Sequence, residues 1–209
     1  MAARVLSLNV AEMRTIRWRG KQVRTGIFKH PVEGSVLAQG VSLEGDEQAD
    51  RKVHGGADKA VYAYAREDSE WWEAELGREL VHGTFGENLT LSGVDASGAE
   101  VGERWRVGRA LLEVSEPRLP CFKLGVKMED NRFVKRFAAV LRPGCYLRIA
   151  EPGDLAAGDP VEVVERPGHD ITVRDLARTF LFEKDRAPEL LAASALSRGW
   201  RDFAESRAA

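Results

Sequence analysis

Cysteine is nearly missing from this 209-residue chain: only Cys121 and Cys145 occur. Two are too few for a disulfide scaffold, and neither belongs to a CxxC pair. Nor can they supply the four ligands of an iron–sulfur cluster, so a redox enzyme built on this chain would take its electrons from outside. Histidine is also sparse. His30, His54, His82 and His169 include no pair at metal-ligand spacing, which argues against a zinc site. No apolar run approaches the ~20 residues of a membrane helix, and the start, Met1-Ala2-Ala3-Arg4-Val5, is not a signal-peptide apolar block. The default compartment is therefore the cytoplasm, with no membrane partner. There is no excess of one charge. Lys and Arg number 31 against 33 Asp and Glu, a formal charge of -2, and nothing announces a nucleic-acid partner. Phosphate-loop patterns of the GxxxxGK[ST] and GxGxxG kinds are missing too.

What is present is ordinary globular material, 44% hydrophobic and 31% charged, enough for a packed core in one moderate domain or one domain with an appendage. Most of it reads as short strands. Leu6 to Val10 and Arg104 to Val107 alternate apolar and polar residues, Ala110, Leu112 and Val114 share one face of a further run, and Val161 to Glu165 closes the series. Gly45-Asp46, Gly102-Glu103 and Gly158-Asp159 mark corners between strands. The pattern predicts a mainly β barrel or sandwich with peripheral helices. One helix is expected over Asp68 to Leu76, stopped by Gly77, and another over Arg132 to Val140. After Pro167-Gly168 the character changes. Thr172 and Asp175 form a capping-box start, Pro188 can open a second helix, and Leu196, Trp200 and Phe203 fit a third. We therefore expect a β domain over 1–166 and a three-helix module over 167–209.

Four segments are richer in polar residues than strands require: Lys29-His30-Pro31-Val32; Gly45 to Arg51 running on through His54-Gly55-Gly56 to Asp58-Lys59; Phe85-Gly86-Glu87-Asn88-Leu89; and Pro117-Arg118-Leu119-Pro120-Cys121-Phe122-Lys123. Arg118 and Lys123 flank Cys121 and would favour its thiolate if they come close in space. A thiolate can be a nucleophile, a persulfide carrier or a soft-metal ligand, whereas a buried free cysteine is simply core. Cys145, within an apparent strand, reads as structural. Arg51 and Lys59 can meet a phosphate, the paired glycines let backbone approach a ligand, and Asp58 and Asn88 can address the donors and acceptors of a heterocycle.

In this order the segments resemble the MOSC family, its YiiM-like branch. The resemblance rests on Lys29-His30-Pro31-Val32, Gly45 to Asp50, His54-Gly55-Gly56 with Asp58-Lys59-Ala60-Val61, Phe85 to Leu89, Pro117-Arg118 with Pro120-Cys121, and Tyr146-Leu147-Arg148, and it covers nearly the whole chain. It implies a MOSC-type β-barrel followed by three helices, and a molybdenum cofactor (Mo-molybdopterin) with Cys121 as the catalytic protein ligand to molybdenum. Lys29, His30, Arg51, His54, Asp58, Lys59, Asn88 and Arg118 are the residues expected to bind the cofactor. The implied activity is reduction of N-hydroxylated compounds, hydroxylamines and N-hydroxylated base analogues among them, with electrons from a separate flavin or iron–sulfur protein. The alternative is a sulfur carrier or cofactor-transfer protein using a persulfide on Cys121. Two departures stand out: Gly102-Glu103 replaces a usual Gly-Asp, and Cys145 stands where a tryptophan is expected. The tail could pack in cis, join copies into an oligomer, or dock a redox partner.

Overall fold

A computed structural model describes residues 2–49 and 55–208. The chain opens with β1 (Arg4–Val10) and a ribbon of β2 (Arg14–Trp18) and β3 (Lys21–Thr25). The short strands β4 (His30–Pro31), β5 (Ser35–Gln39) and β6 (Ser42–Leu43) follow. A single 3-10 turn, Ala57–Lys59, leads into β7 (Val61–Ala65) and α1 (Arg66–Leu76). Then come β8 (Leu89–Ser92), β9 (Arg104–Val107), β10 (Ala110–Pro117), α2 (Phe122–Lys127) and α3 (Phe133–Ala139). β11 (Cys145–Glu151), β12 (Gly153–Ala156) and β13 (Val161–Glu165) complete the strands. The tail is α4 (Val173–Leu181), a 3-10 run over Lys184–Ala192, and α5 (Arg198–Glu205).

Eight strands form one sheet in the order β13-β9-β10-β11-β7-β8-β1-β4. Every pairing is antiparallel except β7 with β8. That exception follows from connectivity: α1 crosses over between them, and a crossover is what parallel neighbours need. The sheet curls until its ends meet. Val5 donates to Asp159 O (2.9 Å), Gly158 to Val5 O (2.8 Å) and Val161 to Ala3 O (3.0 Å), with a single bridge between Arg4 and Pro160. The mainly β class is thus realised as a barrel-like sheet with helices around it.

Inside the curl, Val5, Leu8, Leu91, Trp105, Leu112, Val114 and Leu147 are fully or almost fully buried. Each contributes roughly 1.5–3 kcal/mol of burial. Trp105 can be interior because its indole N–H donates to Glu103 (2.7 Å), itself held by Arg166 (3.2 Å). The Gly102-Glu103 corner therefore serves the core as well as the turn. β1 departs from simple alternation: Ser7 and Asn9 are buried too, bonded to each other (2.8 Å), and Asn9 reaches Thr90 (3.3 Å). Its polar face looks into protein, not solvent.

A second cluster is aromatic. Tyr62, Tyr64, Trp72, Phe85, Phe133 and Phe137 pack with Leu124 and Met128 and fix α1, α2 and α3 against β7. Gly77 ends α1 in the left-handed conformation, φ 64°, donating to Glu73 O (2.8 Å). The tail forms a third cluster, in which Leu176, Leu190, Leu196 and Trp200 gather around Val101 with Leu119 alongside. Thr172 and Asp175 make the expected capping box at α4. The middle tail helix is 3-10 rather than α, with Pro188 inside it.

Candidate functional site

β10 ends at Pro117, and the turn through Pro120 delivers Cys121 to the N-cap of α2 in extended conformation, φ -128° and ψ 174°. There the half-buried Cys121 lines an open cleft of about 680 Å³, solvent at its mouth included. The walls come from segments far apart in sequence. Thr25 ends the ribbon and Gly26 and Ile27 follow it, Asp46 to Ala49 follow β6, Phe85 and Gly86 precede β8, and Tyr62 and Tyr146 stand on adjacent strands. Gly86 sits at φ +81° with Ile27 Cγ1 only 2.8 Å from where a Cβ would be, so only glycine lets these two walls approach.

Four cations, Lys29, Lys59, Arg118 and Lys123, line this cleft against two acids, Asp46 and Glu47. Lys29 forms an ion pair with Asp46, and Lys59 with Glu116 at 3.2 Å. Burial pushes Lys29 below the usual lysine range, with Asp46 opposing that shift. Arg118 is buried, its guanidinium 5.7 Å from the ring centre of Tyr62 and 5.4 Å from that of Phe137. Its Nη1 is buried without a hydrogen-bond partner among the described residues. Such an orphan costs roughly 1–3 kcal/mol, more for a charged group, unless a ligand satisfies it. Burial raises the Tyr146 phenol to about 12, with Arg118 opposing that rise, so its proton stays on through the neutral range. The arrangement is a thiol and a desolvated guanidinium lining one cationic cleft, which suits an anionic ligand with a thiophilic centre.

Of the residues singled out from sequence, Cys121, Lys29, Lys59, Asn88 and Arg118 share this cleft. The Asn88 amide is committed to scaffold, since it accepts from Tyr62 N (3.0 Å) and donates to Asn9 O (3.1 Å) and Asp46 (3.0 Å). His30 is exposed on β4 and does not line the cleft. Asp58 also lies outside it, paired with Arg148 at 2.6 Å. Arg51 and His54 fall outside the described residues. Cys145 is fully buried in the interior cluster, where burial raises its thiol well above the usual range. The second cysteine therefore does not compete with Cys121 for the cleft.

The sequence matches the MOSC domain family over residues 50–162, more than half of the chain. This chain belongs to the MOSC domain family. It is 36% identical to the uncharacterised protein YflK of Bacillus subtilis over 94% of this chain and 90% of that one. To YiiM of Escherichia coli it is 34% identical over 88% and 84%. A protein named "Reductase" from Gibberella moniliformis is 34% identical across 71% of this chain, but the match spans only 27% of that longer protein. Among solved structures, YiiM from Geobacillus stearothermophilus superposes with a TM-score of 0.83 at 31% identity, covering 99% of this chain and 100% of that one.

Two further groups stand behind this MOSC cleft, Glu87 from the Phe85 to Leu89 segment and Lys127 from outside every singled-out segment. Glu87, fully buried, accepts from Gly83 N (2.6 Å), Phe85 N (2.9 Å) and Thr90 (3.1 Å), and burial raises its carboxyl above the ordinary range. Lys127, at the end of α2, donates to Ile27 O (2.7 Å) and to Gly83 O. Burial lowers its ammonium to about 8, with Glu87 resisting the shift. These two groups brace the loops from which the cleft wall is built. The partners of Lys127 lie 100 and 44 residues away in sequence, so no local pattern could announce it, whereas Glu87 bonds residues two to four positions away in its own turn.

Proposed function

We propose that this protein is a molybdenum-cofactor-dependent oxidoreductase that reduces N-hydroxylated compounds, with Cys121 as the metal's protein ligand and a separate protein as electron donor. The observation that carries the reading is that Cys121 lines one cleft with Arg118, whose buried Nη1 has no acceptor among the described residues. The residues fit the group. A thiolate completes a sulfur-rich molybdenum sphere, and Arg118, Lys123, Lys59 and Lys29 offer donors to an anionic phosphate and to ring acceptors. Membership of the MOSC family and likeness to YiiM support the same reading, as does the name of the fungal relative.

When bound, the cofactor would supply two-electron chemistry that no side chain of this protein offers. The net reaction is R–NH–OH + 2 e⁻ + 2 H⁺ → R–NH2 + H2O. The protein's own part is to bind and orient. Arg118, packed against Tyr62 and Phe137, presents a fixed donor fork. Phe85, Leu119 and the two tyrosine rings narrow the space left to water. Tyr146 keeps a proton on its phenol oxygen, where it can donate to a substrate oxygen.

The test is metal analysis of wild type and Cys121→Ser, both purified without oxygen from a molybdopterin-producing host, followed by turnover of a hydroxylamine with reduced viologen. Molybdenum close to one per chain in wild type, lost in the variant together with turnover, is the expected result. Retained activity in Cys121→Ser would overturn the ligand assignment. A stable sulfur adduct on Cys121 after incubation with a cysteine desulfurase, with no molybdenum bound, would favour the sulfur-carrier reading instead.

A further inference from the structure

The ribbon of β2 and β3 is cationic throughout, and among the described residues its cations are unpaired with any acid. Residues 14–25 carry five cations, Arg14, Arg17, Arg19, Lys21 and Arg24, and no acid. All five are exposed, and among the described residues none forms an ion pair. Residues 131–150 also carry five cations and no acid, but there Arg136, Arg142 and Arg148 are paired with Asp130, Asp68 and Asp58. The tail holds seven cations and seven acids over 167–209, several of them paired, as in Arg186 with Glu183 and Glu189 and Arg178 with Asp175.

The ribbon's geometry fixes where this charge sits. Arg19 and Gly20 both have positive φ, 48° and 78°, the turn that matches the twist of two strands. Register pairs Ile16 with Val23 and Trp18 with Lys21, so the apolar side chains share one face. Thr15, Arg17, Gln22 and Arg24 share the other, which is wholly polar and exposed. Among the described residues the ribbon pairs with no other strand, and two strands alone are marginal. It is anchored by contacts instead. Trp18 stacks on Phe122 with ring centres 5.2 Å apart, and Phe122 directly follows Cys121. At its base Thr25 lines the cleft. The basic ribbon thus spans from the cleft wall to the helix that begins at Cys121.

We propose that the outer face of this ribbon docks the separate electron donor, a small flavin or iron–sulfur protein with an acidic rim around its redox group. The proposal rests on the reductase reading above, which requires two electrons from outside the chain. Charge complementarity steers encounter and fixes orientation. A ribbon that touches the neighbour of Cys121 would bring the donor's redox group to the cleft mouth. The balanced tail has no such field to offer.

The test combines binding with turnover. Arg17→Glu/Arg24→Glu alters the outward face only and leaves Trp18 and the cleft untouched. An acidic flavodoxin and a plant-type ferredoxin are titrated against the holoenzyme at low and at physiological salt. The expected result is that at least one binds wild type, weakens as salt rises, and loses about tenfold or more of its affinity to the double variant. Donor-driven turnover should fall with binding, while turnover driven by reduced viologen and the melting temperature stay unchanged. Equal affinity for wild type and variant, or no binding of either donor, overturns the docking site. Tighter, ribbon-dependent binding of a single-stranded oligonucleotide than of either donor would overturn it in favour of a nucleic acid. Failure of the reductase reading is separate: it shows as no viologen-driven turnover, whatever the binding result.

Discussion

Lys127 is a lysine that gives up part of its charge to hold two loops together. Its folded value of about 8 lies below the 10.5 of an exposed lysine. Between those two pH values the unfolded chain binds a proton that the folded chain releases, so raising pH through this window favours folding. The full effect is ~3 kcal/mol at 1.36 kcal/mol per pH unit. Denaturant titrations at pH 7.5, 9 and 10 should show wild type gaining stability relative to Lys127→Met as pH rises. A constant difference between the two would show that Lys127 is not charged and buried as described. The same scale explains which site residues were legible. Lys29 and His30 are neighbours, and side chains of an extended segment alternate in direction, so one enters the cleft and the other faces solvent. Asp58 and Lys59 likewise diverge about the 3-10 turn, Asp58 to Arg148 and Lys59 to Glu116. A motif names the pair of residues, but the local backbone decides which one reaches the cleft.

Elements with their own periodicity or caps were legible: β1, β9, β10 and β13 from alternation, α1 from its stop glycine, α4 from its capping box. α2 was not. Six residues with a glycine in the middle are too few to be helical on their own, and α2 exists because Leu124 enters the aromatic cluster and Gly125 packs against residues 130–134. The cost of losing such a contact can be measured at Gly144, which precedes β11. It sits at φ +64°, and a Cβ there would lie 2.8 Å from the Tyr64 ring and still closer to Ala63 O. Gly144→Ala should therefore cost roughly 2–3 kcal/mol, lowering the melting temperature by about 5–10 °C. Because Gly144 N also donates to Ser97 (3.0 Å) and β11 pairs with β7, some loosening of Tyr146 at the cleft should accompany it. A melting curve within about 1 °C of wild type would mean that the turn relaxes without strain.

Across the whole molecule, the tail and the cleft are joined by polar contacts as well as by packing. Ser197 donates to one oxygen of Glu116 at 2.9 Å, and the other oxygen meets Lys59 in the cleft at 3.2 Å. Arg148 links the same two regions, donating to Ala195 O at 2.9 Å while holding Asp58 and Glu113. The composition change at Pro167 shows in the sequence, but this wiring does not, since its partners are separated by 47 and 81 residues. Removing everything after Arg166 would uncover Val101 and Leu119 and leave both polar links open at once. The truncated chain is expected to lose solubility, or to melt well below wild type, before any question of activity arises. Ser197→Ala is the gentler probe. It should cost about 1 kcal/mol and leave the fold intact, yet weaken phosphate binding in the cleft as Glu116 swings fully toward Lys59. Isothermal titration with inorganic phosphate reads that change. A truncated chain that stays soluble with wild-type stability would instead mark 1–166 as a unit that folds without its tail.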